Sequence, residues 1–292
     1  MRRREITFSF ALIVATFLTG CSNLWAEPKP VEREAAGDVR VMSWNILYRG
    51  WEKKGHALWE KRIPGVVQVL QKHRPDVVGL QEDSRQQVDY LTRALPDYSY
   101  LQPYKNKGGG LLIRTDAWDV IDSGKIPIPG KRHASWALLE STRNGERWLF
   151  YNAHFVHRSA DNSAVVRMEA AKQVAEHMVR YAPAGVPVVM TGDFNALHDM
   201  PSMRYLAGDE GSPVKFSNAF NLIHGCDDPR GTFRGLSKKH HCERIDHILI
   251  NQHVTVNNAE IIYYDYFSDV YPSDHYPVQA ILRNDQQDDA KK

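Results

Sequence analysis

The side chains able to do chemistry in this chain recur just past short apolar runs. Val188-Val189-Met190 leads into Thr191-Gly192-Asp193-Phe194-Asn195. In an extended segment Asp193 and Asn195, two apart, project to the same side. A carboxylate and an amide so placed can hold a hard cation or a phosphate oxygen, and they can equally form an Asx turn. Ser43-Trp44-Asn45 and Leu80-Gln81-Glu82 each set one oxygen ligand beyond an apolar run. That suits magnesium, which takes few carboxylates and completes its sphere with water and substrate oxygens. Tyr151-Asn152-Ala153-His154 ends another run with a histidine able to give a proton or a hydrogen bond to a phosphoryl oxygen. In Arg244-Ile245-Asp246-His247, strand parity sends Asp246 toward a site and His247 to the opposite face, for packing or the outer surface. Ser273-Asp274-His275 sets a carboxylate beside an imidazole, which makes the histidine a better base toward water. Taken singly, each residue reads as readily as a cap, a surface group or a satisfied structural histidine.

A scaffold must bring these positions together. Apolar or alternating runs predict strands at 39–45, 76–81, 110–114, 135–140, 148–154, 186–191, 244–250 and 276–282. Helical periodicity predicts helices over 62–73, with Val66, Val67, Val69 and Leu70 on one side, over 86–95, and over 164–181. Interleaved strands and helices point to a layered α/β or α+β domain rather than a bundle or an all-β sandwich. The polar residues sit at strand ends, where rigid scaffolds present chemistry. Strand order is not settled at this level.

Taken in order, Trp44-Asn45, Gln81-Glu82, His154, Gly192-Asp193-Phe194-Asn195, Arg244-Ile245-Asp246 and Ser273-Asp274-His275 resemble the endonuclease/exonuclease/phosphatase family. Pancreatic deoxyribonuclease, abasic-site endonucleases, neutral sphingomyelinases and inositol-polyphosphate phosphatases belong to it. Each motif alone is weak, but six in order over residues 39–282 are strong. The resemblance implies an α/β (α+β) four-layer sandwich, with two mixed β-sheets packed face to face and helices outside. It implies that Asn45 and Glu82 hold the metal, and that Asp193 and Asn195 contact the metal, the attacking water or the phosphate. His154 would stabilise or protonate the phosphoryl group. Asp246 would orient His275 as general base or phosphate ligand, with Asp274 beside it. The abasic-site endonucleases have a different arrangement at His154, so that subgroup fits less well. The implied activity is metal-dependent phosphoester hydrolysis of phosphodiesterase, nuclease or phosphatase type, with Mg2+ or Mn2+. The expected partner is a phosphorylated substrate (nucleic acid, phospholipid or small phosphoester), and the expected state is a monomer.

Residues 230–244 form the densest basic stretch after the N-terminal arginines and contain Arg234, Lys238 and Lys239. They read as a phosphate clamp or as a solvated loop. Arg132, in Gly130-Lys131-Arg132-His133, is a second substrate-facing candidate. Gly108 to Gly110 lacks the Lys-Ser/Thr ending of a nucleotide loop and reads as a tight turn. Adjacent Ser273, Asp274 and His275 cannot form a triad among themselves, and no Gly-x-Ser-x-Gly is present, so a serine hydrolase is set aside. A noncatalytic lipid-anchored binding module with the family fold is the competing class. Retention of both metal and base positions argues against it.

The N-terminus reads as an address. Arg2, Arg3 and Arg4 precede an apolar run from Ile6 to Leu18, too short for a comfortable permanent span. Leu18-Thr19-Gly20-Cys21 resembles a bacterial lipobox, which implies cleavage before Cys21, lipidation of that residue, and a location in the cell envelope. With Ser22 following, the expected place is the periplasmic face of the outer membrane, anchored to the membrane by lipid. Residues 1–20 are then a signal peptide, 21–38 a tether, 39–283 the catalytic domain, and 284–292 a polar tail. The formal charge is +2, and removing Arg2, Arg3, Arg4 and Glu5 takes away that +2. A near-neutral body argues against broad nonspecific nucleic-acid affinity. Of three cysteines, Cys226 and Cys242 remain for a disulfide in an oxidising compartment, worth about 3 kcal/mol.

Overall fold

Strand β1 (Val39–Asn45) is buried along its whole length, and so are β2 (Val77–Gln81) and β8 (Val188–Asp193). Such runs belong at the centre of sheets covered on both faces. The computed structural model describes residues 37–50, 58–101, 109–159, 162–209, 211–235, 243–263 and 270–285. The other strands are β3 (Tyr98–Leu101), β4 (Leu111–Arg114), β5 (Trp118–Ile128), β6 (Arg132–Ser141) and β7 (Arg147–His154) in the first part of the chain. After β8 come β9 (Ser217–Asn218), β10 (Asp246–Ile250), β11 (Val254–Ile261) and β12 (Val278–Asn284). Helices α1 (Trp59–His73), α2 (Arg85–Ala94), α3 (Ser163–Tyr181), α4 (Pro201–Leu206) and α5 (Ala219–His224) lie between them.

The strands form two six-stranded sheets, ordered β11-β12-β1-β2-β4-β3 and β5-β6-β7-β8-β10-β9. Both are mixed. β1 runs parallel to β2 and β7 parallel to β8, while the other pairings are antiparallel. This is the expected sandwich of two mixed sheets with helices. α1 buries Trp59, Val66, Val69 and Leu70 at helical spacing. α3 buries Ala170, Ala171, Val174, Ala175 and Met178 in one cluster with Trp136, Leu149 and Tyr151 of the second sheet. At the start of α2, Ser84 accepts from Gln87 N and Gln87 Oε1 accepts from Ser84 N, which closes a capping box.

The sheets approach closely at Gly79. A Cβ added there would overlap Thr191 Oγ1 and stand 2.5 Å from Asn152 Oδ1, side chains of the opposite sheet. Around it runs a buried polar layer. Gln81 Nε2 donates to Asn152 Oδ1 at 2.7 Å, Thr191 Oγ1 lies 3.1 Å from the same oxygen, and Asn152 Nδ2 donates to Leu80 O and Gly110 O. These hydrogen bonds tie one sheet to the other in register, although Gln81 Oε1 is buried without a partner.

The predicted strands and helices all occur, with ends shifted by a few residues. Four strands lay outside the sequence reading, namely β3, β5, β9 and β11, and these are the four edges of the two sheets. Along β5 only Trp118, Ile126 and Ile128 are buried, and a bulge at Val120/Asp122 breaks the alternation. The proposed leader and most of the tether fall outside the described residues, as does the tail beyond Asp285. Among the described residues no helix is long and apolar enough to cross a membrane.

Candidate active site

The two parallel strand pairs end side by side, and their last residues are the sequence-derived candidates. Asn45 is in register with Gln81, and His154 with Asp193. On the other flank of β8, Asp246 at the start of β10 is in register with Asp193. His154, Asp193 and Asp246 therefore form one row across the second sheet. Parity extends the row inward, because Asn152 and Thr191 lie two residues before His154 and Asp193 and point to the same inter-sheet face.

Asp193 is the hub. Its Oδ2 accepts from Asn45 Nδ2 at 3.0 Å and lies 3.4 Å from His154 Nε2 and 3.9 Å from His275 Nε2. Its Oδ1 accepts from Asn195 N at 2.9 Å, and Asn195, at φ 49°, turns its amide to donate to Phe155 O at 3.0 Å. His275 Nδ1 faces Asp246 Oδ2 at 2.8 Å. Asn45, His154, Asp193, Asp246 and His275 are each less than a tenth exposed. His247 points the other way, as parity predicts. Its Nε2 is 2.9 Å from Ala196 O and its Nδ1 is 2.8 Å from Asn218 Nδ2, so it is a neutral packing residue.

Burial raises the Asp193 pKa, and the charge of Asp246 raises it further, against the pull of His275 and Asn45. For His275, burial opposes the imidazolium. The charge and hydrogen bond of Asp246, backed by Asp193 and Asp274, outweigh it and hold the pKa well above the usual histidine value. Asp193, Asp246 and His275 can each offer a ligand atom, all within 4.8 Å of one another. Asp246 Oδ1 is buried without a hydrogen-bond partner. Two carboxylates, one with an unsatisfied oxygen, and an imidazole fit a divalent cation. This grouping differs from the sequence expectation, which put the metal at Asn45 and Glu82. In the structure the Asn45 amide is engaged at both ends, by Asp193 and by Leu47 N at 3.0 Å. Glu82, half-buried at φ 57°, accepts from Tyr48 N at 3.0 Å.

The remaining candidates flank this group. Asp274 is next to His275, and burial raises its pKa with a further push from Glu82. Arg132 Nη1 lies 3.4 Å from His154 O, and its guanidinium feels the charges of Asp193 and Glu82. Arg234 is buried beside the Asp274 backbone, with its N–H donated to Asp274 O at 2.8 Å. Cys226 is exposed. Lys238, Lys239, Cys242 and Cys21 lie outside the described residues, and with them the disulfide and lipidation expectations.

Several residues that hold this constellation were given no role from the sequence, although Trp44 and Ser273 lie within its motifs. Thr232 Oγ1 accepts from both Ile245 N and Asp246 N at 3.1 Å, while its carbonyl accepts from Tyr276 N at 2.8 Å. It thus ties both members of the Asp246–His275 pair. Trp44 Nε1 donates to His275 O at 3.1 Å, and Ser273 Oγ donates to Asn45 O at 2.6 Å. Arg62, buried in α1, donates to Ile46 O, Leu47 O and Pro272 O and so joins the loop after β1 to the segment before Ser273. Only the parity of Asn152 and Thr191 with the strand-end residues offered a clue to the polar layer.

The model of the Endonuclease/Exonuclease/phosphatase family matches residues 42–275, and the chain belongs to this family. Membership supports phosphoester hydrolysis in general terms. Solved structures share the fold. The endonuclease/exonuclease/phosphatase protein of Bacteroides vulgatus is 23% identical, with 85% of this chain and 100% of that chain covered, at TM-score 0.74. A mannosyl-6-phosphatase of Bacteroides thetaiotaomicron is also 23% identical, covering 84% of this chain and 99% of its own, at TM-score 0.70. D. rerio TDP2, complexed with single strand DNA product, is 20% identical over 85% of this chain and 100% of its own, at TM-score 0.69. The search of curated proteins finds no match.

Proposed function

We propose that this chain hydrolyses a phosphoester by water attack, with a divalent cation, Mg2+ or Mn2+, as cofactor. The observation that carries the reading is the buried chain Asp246–His275–Asp193, with separations of 2.8 and 3.9 Å, at the end of a parallel strand pair. With Nδ1–H given to Asp246, His275 presents Nε2 to the reacting centre, where as imidazolium it can hold a phosphoryl oxygen and as neutral imidazole it can take a proton from water. His154 Nε2, on the other side of Asp193 Oδ2, is placed to hydrogen-bond a phosphoryl oxygen or protonate the leaving group. Asn195 keeps Asp193 aimed by donating its backbone N–H. Arg132 offers positive charge to the phosphate from the β6 side. The cation would be held by Asn45 and Glu82, leaving His275 Nε2 free for water or phosphate, or by Asp193, Asp246 and His275, in which case His275 is a ligand and not the base. When bound, it would neutralise charge on the phosphoryl and leaving oxygens.

The test is hydrolysis of bis(p-nitrophenyl) phosphate by the purified chain with magnesium or manganese, with and without chelator. Chelator-sensitive turnover is expected. No turnover with either ion, on this substrate or on a panel of DNA, RNA, sphingomyelin, inositol phosphates and aryl monoesters, would favour the noncatalytic binding module. Anchoring through Cys21 at the periplasmic face of the outer membrane is part of the same proposal. Cys21→Ala should move the protein to the soluble fraction, and retention in the membrane fraction would refute it.

A further inference from the structure

Three arginines lie in the described part of the basic stretch 230–244, and two of them are engaged within the chain. Arg230 holds Asp228 through Nε at 2.9 Å and Nη2 at 2.8 Å. Arg244 spans the carbonyls of Asp228 and Arg230 and the side chain of Asn221. Arg234 differs. It is 2% exposed, and its Nε and Nη1 are buried without a hydrogen-bond acceptor. Its guanidinium lies over the Tyr271 ring. Among the described residues no carboxylate pairs with it.

Its place in the fold is the rim of the reacting centre. The backbone N–H groups of Arg234 and Gly235 both donate to Asp274 O. The preceding residue, Phe233, bridges His275, with the two rings 5.0 Å apart. Tyr271 stands three residues before Asp274. Arg234 and Tyr271 thus belong to the two segments that position Asp274 and His275.

A buried cation without an anion bears a desolvation cost that the Tyr271 ring offsets only in part. An anion arriving from outside would offset it. A guanidinium held over an aromatic face, with Nε and Nη1 lacking acceptors, has N–H groups to give to an oxyanion. We propose that Arg234, backed by Tyr271, is a subsite for a second oxyanion of the substrate. The preferred substrate is then a phosphoester carrying a further phosphate-like or carboxylate group beyond the scissile ester. This rests on the phosphoesterase reading and extends it to substrate class.

Two measurements test it, one of them independent of turnover. In the first, thermal unfolding of the full chain is followed in excess chelator while inorganic phosphate is added. Wild type and His275→Ala should both be stabilised, and Arg234→Met should show no phosphate-dependent shift. An equal shift in Arg234→Met would overturn the subsite. In the second, kcat/KM is compared for bis(p-nitrophenyl) phosphate and for analogues whose second aryl ring carries a carboxylate or a phosphonate. Wild type should favour one charged analogue by about tenfold or more, in line with a charged hydrogen-bonded pair. Whichever analogue is favoured names the oxyanion. That preference should collapse toward unity in Arg234→Met. If Arg234→Met does not fold, Arg234→Lys, which retains charge but not the fork, should lose most of the preference. An undiminished preference in the folded variant would refute the proposal. Absence of turnover on every substrate would count against the phosphoesterase reading, leaving the unfolding experiment to judge Arg234.

Discussion

Asn45 Nδ2 donates to Asp193 Oδ2 at 3.0 Å, joining the end of β1 in one sheet to the end of β8 in the other. The hydrogen bond crosses the seam of the sandwich, so the geometry of the site depends on how the sheets sit over each other. Asn45→Ala removes one of the contacts that aim Asp193, and loss of an orienting partner of this kind costs about 10–100-fold in activity or metal affinity. Asn45→Asp should do worse, because it sets a second carboxylate against Asp193. Steady-state kinetics with a metal titration checks both, and an unchanged Asn45→Asp enzyme would remove Asn45 from the site.

Asp193→Ala and His275→Ala should each lower turnover by roughly 10²–10⁴-fold while the far-UV circular dichroism stays native-like. Both residues lie at strand ends or beyond, so little packing is lost. Near-wild-type rates in either folded variant would contradict the assignment.

The Asp193–Asp246–His275 group predicts that a cation stabilises the protein. Two buried carboxylates side by side repel, and burial together with the Asp246 charge raises the Asp193 pKa. Magnesium or manganese should raise the unfolding temperature, and chelator should lower it. Asp246→Asn should blunt the response, and calorimetric titration of the ion against wild type and variant measures the difference.

Gly79→Ala tests the inter-sheet layer. The new methyl would strike Thr191 and Asn152 of the opposite sheet. Overpacking of this kind costs about 1–3 kcal/mol, with more if the Gln81–Asn152 hydrogen bond breaks. Denaturant unfolding should show the loss. Activity should fall with it, because Asn45 and Asp193 belong to different sheets.

His247 gives a pH dependence of stability. Burial lowers its pKa to about 4, against 6.5 for an ordinary histidine. Between those values the unfolded chain binds the proton and the folded chain does not, so stability falls as pH drops from 6.5 toward 4. His247→Gln retains a donor for Ala196 O and an acceptor for Asn218 without titrating. The difference between the two stability–pH curves should be constant above pH 6.5 and change progressively toward pH 4; curves parallel throughout would show that His247 does not titrate in this window.

The central strands and the main helices were legible in the sequence because each must bury a continuous run or a stripe. β1 and β2 are buried throughout, and α1 repeats its buried residues at helical spacing. The edges were not, because β3, β5, β9 and β11 have a neighbour on one side only. A half-solvated strand such as β5 tolerates charge and a bulge, and with them loses the alternation that marks a strand.

The same division holds at the centre of the molecule. The sequence alone determined which side chains stand just beyond the apolar runs, and parity alone separated Asp246 from His247. It also determined the order of motifs that marks the family. Only the tertiary structure decided that Asn45 bonds to Asp193 across the seam. It also decided that Asp193, Asp246 and His275 converge, and that Arg234 is buried without an acceptor. Those outcomes depend on which strands are neighbours and on the register of one sheet over the other. Contacts between residues as far apart as Asn45 and Asp193 set that register, and no local pattern encodes them.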